Sequence, residues 1–364
     1  RNQAKIHFLN YLWNLMNKNV KYRVLGVMSG TSLDGIDLAI CTFTKNTKWE
    51  FIIETSETQK YTDNWQKKLA NLHTKSKNII SKTDIEYGEF LAKTITTFLA
   101  NEKVDFIASH GHTIFHQPEN NYTLQIGDGK TIANVTKIKT INNFRSLDIS
   151  LNGQGAPLVP IGDLHLFPDY KYCVNLGGFA NISIKQKVEI TAFDICPVNI
   201  VMNEISKQLE LEFDINGDIA KTGKLIPELL EKLNSLSFYE QKHPKSLGRE
   251  WVEKFIHPLL LKNYKPEDLL NTFCEHIAIQ IGVFLNDNSA LFTGGGVFNT
   301  YLMSRISYYS KSKICIPNLK IINFKEALIF AFLGVLKLRN EVNCLQSVTG
   351  AKKDNCGGEV NNPM

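Results

Sequence analysis

Three glycine-rich turns carry the first chemical signal in this chain. In GVMSGTSLDGID, Gly30, Thr31, Ser32 and Gly35 lie between two apolar runs. Small residues there let backbone N–H groups approach a phosphate, and the hydroxyls add donors. The turn joins strand to strand and lacks the GxxxxGK[ST] pattern, so it is not a Walker loop. It reads as a phosphate cradle or as a plain glycine hairpin. In VNLGGFANIS a strand meets Gly177 and Gly178, and another strand follows. In FTGGGVFN, Gly294, Gly295 and Gly296 sit where a strand becomes a helix. That turn has room for a nucleobase or a phosphate, or else packs a strand closely on a helix. Together, and in this order, the three turns are far more specific than any one.

Charged residues come next. Asp194 ends the apolar run ITAFD, just before a turn with Pro197 and Asn199. A carboxylate there could act as a general base, or cap the helix that follows. Glu326 stands early in the last long helical stretch, where the helix dipole also favours an acid. Arg145 could hold a carboxylate or phosphate bidentately, or pair with Asp148 on the surface. His110, His112 and His116 form HxHxxxH, and alternation puts the first two on one strand face. With no matched ligand set nearby, that pattern favours hydrogen bonding over a dedicated metal site.

These residues need a scaffold. RVLGVM and LAICTF flank the first turn as a hairpin, with WEFIIE as a third run. Residues 64–101 read as two helices, and VDFIASHG and YTLQIGDG as strands. FRSLDISLNGQGAPLVP reads as a long functional loop or a junction. A second block follows the same pattern, with YCVNLGG, FANISIK and VEITAFDICP as strands, then helices, then SALFT and the triple glycine. A long helix is expected over 266–286, another over KEALIFAFLGVLKLR, and a loop-like tail after it. Strand hairpins alternating with helices, twice over, predict an α/β protein of two lobes. The expected division is an appended segment at 1–20, a first lobe at 21–143 plus about 336–364, and a second lobe at 144–335.

Composition excludes several classes. Of 364 residues, 43% are hydrophobic and 21% charged, which is ordinary for a folded globular chain. A net charge of +5, scattered, does not call for a nucleic-acid partner. No run approaches the roughly 18 apolar residues of a spanning helix, so no membrane partner is expected. The seven cysteines form no CxxC pair and are odd in number, which favours free thiols in a reducing, cytoplasmic setting.

GVMSGTSLDGID, SHGHTIFHQP, LQIGDG, NFRSLDISLNGQGAPLVP, NLGGFANIS, AFD, TGGGVFN and VTGA, in that order, resemble the anhydro-N-acetylmuramic acid kinase family. The resemblance runs from about residue 24 to residue 351. It implies an actin, hexokinase and heat-shock-70-like fold with ATP in a cleft between two lobes. The implied reaction opens the 1,6-anhydro ring with water and phosphorylates O6. The phosphate loop maps onto Gly30, Thr31, Ser32, Leu33, Asp34, Gly35, Ile36 and Asp37. Asn175, Gly177, Gly178, Gly294, Gly295 and Gly296 complete the ATP contacts, and Mg2+ bridges the phosphates. Asp194 maps onto the catalytic base, and Arg145 and Glu326 onto sugar-holding positions, with His112 as a further substrate contact. The family also implies a homodimer. The chain departs from it at ICPVN, where Cys196 and Val198 replace glycines, and at Met28 and Ser29, where the wider superfamily has a metal-holding Asp. The first departure bears on sugar fit more than on nucleotide fit, and the metal ligands are not assigned. The alternatives are a kinase for another sugar, or a nucleotide-binding regulator without catalysis.

Overall fold

The computed structural model describes residues 20–30, 33–186, 189–260 and 264–364. The expected appended segment, apart from its last residue, lies outside the described residues, as do Thr31 and Ser32. The chain divides into two compact units: the described residues up to Leu166 with Phe324–Met364, and Phe167–Asn323.

In the first unit, β1 (Lys21–Ser29), β2 (Ile36–Lys45) and β3 (Trp49–Gln59) form an antiparallel meander. Strands β4 (Phe106–Ser109) and β7 (Thr140–Asn142) add to the other side of β1 in parallel. Between them, β5 (His112–Gln117) and β6 (Tyr122–Ile126) form a separate hairpin. The register of β1 on β2 pairs Ser29 with Ile36, so the phosphate-turn sequence is the loop that closes one strand onto the other. Alternation along β1 sends Leu25 and Val27 into a core with Tyr87, Leu91 and Ile95 of the helix Lys77–Leu99. That helix buries Ile80, Tyr87, Leu91 and Ile95 at helical spacing. Gly26, between Leu25 and Val27, faces the helix Leu319–Leu338 instead, so β1 is covered on both faces.

In the second unit, β8 (Tyr172–Leu176), β9 (Phe179–Lys185) and β10 (Ile190–Pro197) are again an antiparallel meander. Strands β11 (Ser289–Thr293) and β12 (Lys313–Cys315) extend the sheet in parallel from β8. The core gathers Val174, Ile182, Val201, Phe273, Ile277, Phe292 and Ile306 from the sheet and its helices. With an edge strand β13 (Glu359–Asn361), the first sheet runs β13-β7-β4-β1-β2-β3, and the second runs β10-β9-β8-β11-β12. Apart from β13, the same five-strand plan occurs twice.

The boundaries expected at 143/144 and near 335/336 both fall inside the first unit. The reason is local packing. Asp148 and the Gln154 amide bond to residues of the C-terminal return, and Gly162 of the helix Val159–Leu166 lies against Ile329. The second boundary falls at Phe324, where the helix Leu319–Leu338 leaves helical geometry (φ −121°, ψ 17°). The long loop expected over 144–160 contains the helix Ser146–Ser150 and the start of the helix Val159–Leu166. The loop-like tail supplies β13, antiparallel to β7.

Candidate active site

In the first unit the closing loop starts at Gly30 and continues through Leu33, Asp34 and Gly35 into β2. Leu33 takes a left-handed backbone (φ 60°), and its carbonyl accepts from Gln66 Nε2 at 3.0 Å. Ile36 is buried at the start of β2. Asp37, one residue on, accepts from Thr58 Oγ1 at 2.6 Å. Burial pushes its carboxyl above the usual range, against the pull of the Thr58 bond. Ser29, just before the loop, bonds to Tyr61, Tyr87 and His112.

The HxH pattern does not keep its histidines on one strand face. Gly111 has φ +77°, which breaks the alternation between β4 and β5. His110 turns to Arg145, accepting from its Nε at 3.1 Å and its Nη2 at 2.9 Å, while its own Nδ1 bonds the Gly111 carbonyl at 2.8 Å. His112 turns to Ser29, and His116 is exposed beside Thr123. Burial holds His110 well below the ordinary imidazole value, with the Arg145 charge adding to the effect. His110 is therefore a neutral acceptor for the guanidinium.

Arg145 also donates from Nη1 to the Gly155 carbonyl at 2.7 Å. Burial lowers its pKa to about 10, and it remains a cation at neutral pH. It does not pair with Asp148, as a surface reading of the two suggests. Asp148 is fully buried, and Oδ1 accepts from Thr349 Oγ1 (2.9 Å), Asn355 Nδ2 (2.8 Å) and Cys344 Sγ (3.0 Å). Its Oδ2 accepts from the Gly155 amide at 2.8 Å. Glu326 reaches solvent, yet the protein packed around its carboxyl raises its pKa, with Lys325 and Arg145 opposing. Arg145, His110 and Glu326 are thus electrostatically linked in one unit, with Lys325 braced against buried Asp163 at 3.1 Å.

In the second unit the two glycine turns meet at the ends of neighbouring strands. Asn175, near the end of β8, pairs with Thr293 of β11, and Thr293 Oγ1 donates to Asn175 Oδ1 at 3.4 Å. Gly294 has φ +85°, and a Cβ there would fall 2.7 Å from both Asn175 Oδ1 and the Leu176 carbonyl. Only glycine fits that corner. Gly296 packs equally close to Leu176, whereas a Cβ on Gly295 would meet nothing within 4 Å. The Gly177 and Gly178 carbonyls accept from the Asn199, Val198 and Ile200 amides, which seats the first turn of the helix Asn199–Ser206 on the glycine pair.

Asp194 faces Asn181 of β9, and a bulge between Asp194 and Cys196 bends β10 beside it. It is not a helix cap, because the cap position is Val198 and carries no side-chain bond. Its Oδ2 accepts from the Leu247 amide at 2.9 Å, and its own N–H donates to the Lys245 carbonyl at 3.1 Å. Among the described residues, Oδ1 carries no hydrogen bond. Burial pushes the carboxyl above the ordinary aspartate range, partly offset by Leu247. The ICPVN departure goes into the core: Cys196 and Val198 are both fully buried.

Motif reading missed Ser29, Tyr61, Tyr87, His110 and Lys325 as partners of these residues. His110 carried a signal, its place in HxH. Tyr61 and Tyr87 carried none, since they stand 26 positions apart, one in a loop and one on a helix.

Strand-end glycine turns beside half-buried Asp37 and Asp194 suit phosphoryl transfer, whose work is positioning and charge neutralisation. The sequence profile described as "Anhydro-N-acetylmuramic acid kinase" matches residues 22–362, and the chain belongs to that family. The anhydro-N-acetylmuramic acid kinase of Sulfurovum sp. (strain NBC37-1) is 31% identical, over 93% of this chain and 99% of that protein. That of Francisella tularensis subsp. novicida (strain U112) is 34% identical, over 94% and 98%. Among solved structures, the activator of the 2-hydroxyisocaproyl-CoA dehydratase from Clostridium difficile with bound ADPNP aligns at 15% identity and a TM-score of 0.43. That alignment covers 87% of this chain and 97% of that one, too distant for residue roles to carry over.

Proposed function

We propose that this chain uses ATP and water to convert 1,6-anhydro-N-acetylmuramic acid into N-acetylmuramic acid 6-phosphate and ADP, in the recycling of cell-wall murein. Membership of the kinase family over residues 22–362 carries the reading. The free Oδ1 of Asp194 supports its chemistry.

Asp194 takes a proton from the water that attacks the anomeric carbon. Burial raises its pKa, which makes it a better base than a solvated aspartate. The C1–O6 bond breaks, and O6 attacks the γ-phosphoryl group as ADP leaves. Backbone donors of the turn from Gly30 to Asp37, with Thr31 and Ser32, would hold phosphates, and Asn175, Gly177, Gly178 and Gly294–Gly296 the rest of the nucleotide. Gly295, with open space where a side chain would stand, suits close approach by a flat base. Arg145, with His110 and Gly155 setting its direction, would hold the sugar's carboxylate, and Glu326 and His112 its hydroxyl or amide groups. Magnesium belongs to the reading as the neutraliser of phosphate charge. Among the described residues no group of three or more His, Cys, Asp and Glu side chains is arranged to hold a metal. The ion would therefore be held chiefly by phosphates and water.

The reading includes a homodimer and a cytoplasmic setting, where ATP is available. All seven cysteines are free thiols, and among the described residues no helix is long and apolar enough to cross a membrane. The test is ADP release with and without 1,6-anhydro-N-acetylmuramic acid, run in 18O-labelled water. Sugar-dependent ADP with the label at C1 of the product is expected. ADP release indifferent to the sugar, or unlabelled product, overturns the reading.

A further inference from the structure

Directly before the phosphate turn, three hydroxyls close into a ring: Ser29 from β1, Tyr61 from the loop after β3 and Tyr87 from the helix Lys77–Leu99. Ser29 Oγ lies 2.6 Å from Tyr61 Oη, and Tyr87 Oη donates to Ser29 Oγ at 3.0 Å. The two phenols are hydrogen-bonded to each other. A fourth contact joins the ring to the site: His112 Nδ1 lies 3.0 Å from Ser29 Oγ. All four residues are buried.

The protons can be counted. Each hydroxyl has one proton to donate, and burial pushes both phenols up, so neither ionises at neutral pH. Three protons serve three hydroxyl–hydroxyl contacts, so all are used inside the ring. With Tyr87 donating to Ser29, the cycle runs Tyr87 to Ser29 to Tyr61 and back to Tyr87. Ser29 then has one lone pair left, and no proton, for His112. The fourth contact must take its proton from the imidazole. Burial holds that imidazole down at about 4, so it is neutral with a single N–H. Among the described residues nothing is hydrogen-bonded to Nε2.

We propose that the Ser29–Tyr61–Tyr87 ring fixes His112 as the Nδ1–H tautomer, leaving Nε2 a bare acceptor that selects a hydrogen-bond donor, a hydroxyl or amide N–H, on the bound sugar. This rests on the sugar-kinase reading for the ligand, though not for the tautomer. His112 touches substrate; Ser29, Tyr61 and Tyr87 are positioning residues that act through it. A bare nitrogen lone pair repels a carboxylate, so the division of labour with cationic Arg145 orients a sugar that carries both groups. Sequence spacing could not reveal the ring, because its members are distant in the chain.

The experiment is long-range 15N–1H spectroscopy of the full chain with 15N-labelled histidine, with and without 1,6-anhydro-N-acetylmuramic acid. A pyrrole-type Nδ1 and a pyridine-type Nε2 are expected for His112, and the Nε2 resonance shifts when sugar binds. A protonated Nε2, a mixture of tautomers or an Nε2 unmoved by bound sugar overturns the proposal. Tyr61→Phe frees the Ser29 proton to donate to Nδ1, which moves the imidazole proton to Nε2. The Km for sugar should then rise about tenfold, the worth of one neutral hydrogen bond, with the Km for ATP unchanged. An unaltered tautomer or sugar Km in that variant also overturns it. Should Tyr61→Phe fail to fold, the wild-type spectra decide. Absence of any turnover of the sugar by the wild type would sink the kinase reading instead, and the spectrum of the free chain would still test the tautomer.

Discussion

At the scale of single residues, the backbone decides what each polar group can do. Asp194 ends an apolar run, and that alone favours a helix cap over a base. The bulge at Cys196 and the bond from the Leu247 amide remove the cap and leave Oδ1 available. Asp194→Asn keeps an oxygen for Leu247 but has no basic lone pair. Turnover should fall by roughly 10²-fold or more, while ATP binding by calorimetry stays near wild type. Near-normal turnover would remove Asp194 from the base role. The raised pKa fixes the sign of the pH profile. A base must be ionised, so kcat should drop as pH falls through an inflection above the ordinary aspartate value of 3.8, and level off above it. An inflection at or below that value would mean that burial does not tune this group. Arg145 was legible by type and position, but its partner was not. A sequence cannot show that Asp148 turns inward to four donors, nor that Gly111 swings His110 away from His112.

At the scale of elements, alternation and helical spacing exposed most of the scaffold. The meander β1–β3, the strands β8–β10 and the helices Lys77–Leu99 and Pro266–Gly282 all follow from them. The missed strands β7, β12 and β13 have three residues each, too short for a periodic signal, and are defined by the neighbours they pair with: β4 and β13 for β7, β11 for β12, and β7 for β13. Glycines separate by neighbour in a way their motifs do not show. A Cβ on Gly26 would sit 2.0 Å from the Ala327 carbonyl, so Gly26→Ala forces β1 off the helix Leu319–Leu338. The expected cost is about 1–3 kcal/mol or more, read as a fall in Tm. Gly295→Ala meets no protein atom. Its Tm should be unchanged while the Km for ATP rises several-fold. A Gly295→Ala enzyme with wild-type ATP affinity would take that turn out of the nucleotide site.

At the scale of the whole molecule, one strand plan built twice explains why the second half of the sequence echoes the first. It also explains why the boundaries were harder to place than the elements. The first unit is discontinuous: Phe324–Met364 returns to it, and the return is held by polar groups as well as by its apolar helix. Asp148 is the knot. Its carboxylate binds Thr349 and Asn355 of the return, and the Gly155 amide of the loop whose carbonyl takes Arg145. Within the return, Asn343 joins the helix to the tail through the Leu333 and Gly357 carbonyls. Asp148→Ala strands the Asn355 carboxamide and the Gly155 N–H in the interior and leaves the Thr349 hydroxyl only its longer bond to the Leu345 carbonyl. Unsatisfied buried donors cost about 1–3 kcal/mol each, so the variant should lose about 3 kcal/mol or more. The same knot positions Gly155, so the sugar Km should rise with the fall in Tm while the ATP Km holds. A variant that melts early but keeps its sugar Km would show that the C-terminal return is a fastening only, with no part in orienting Arg145.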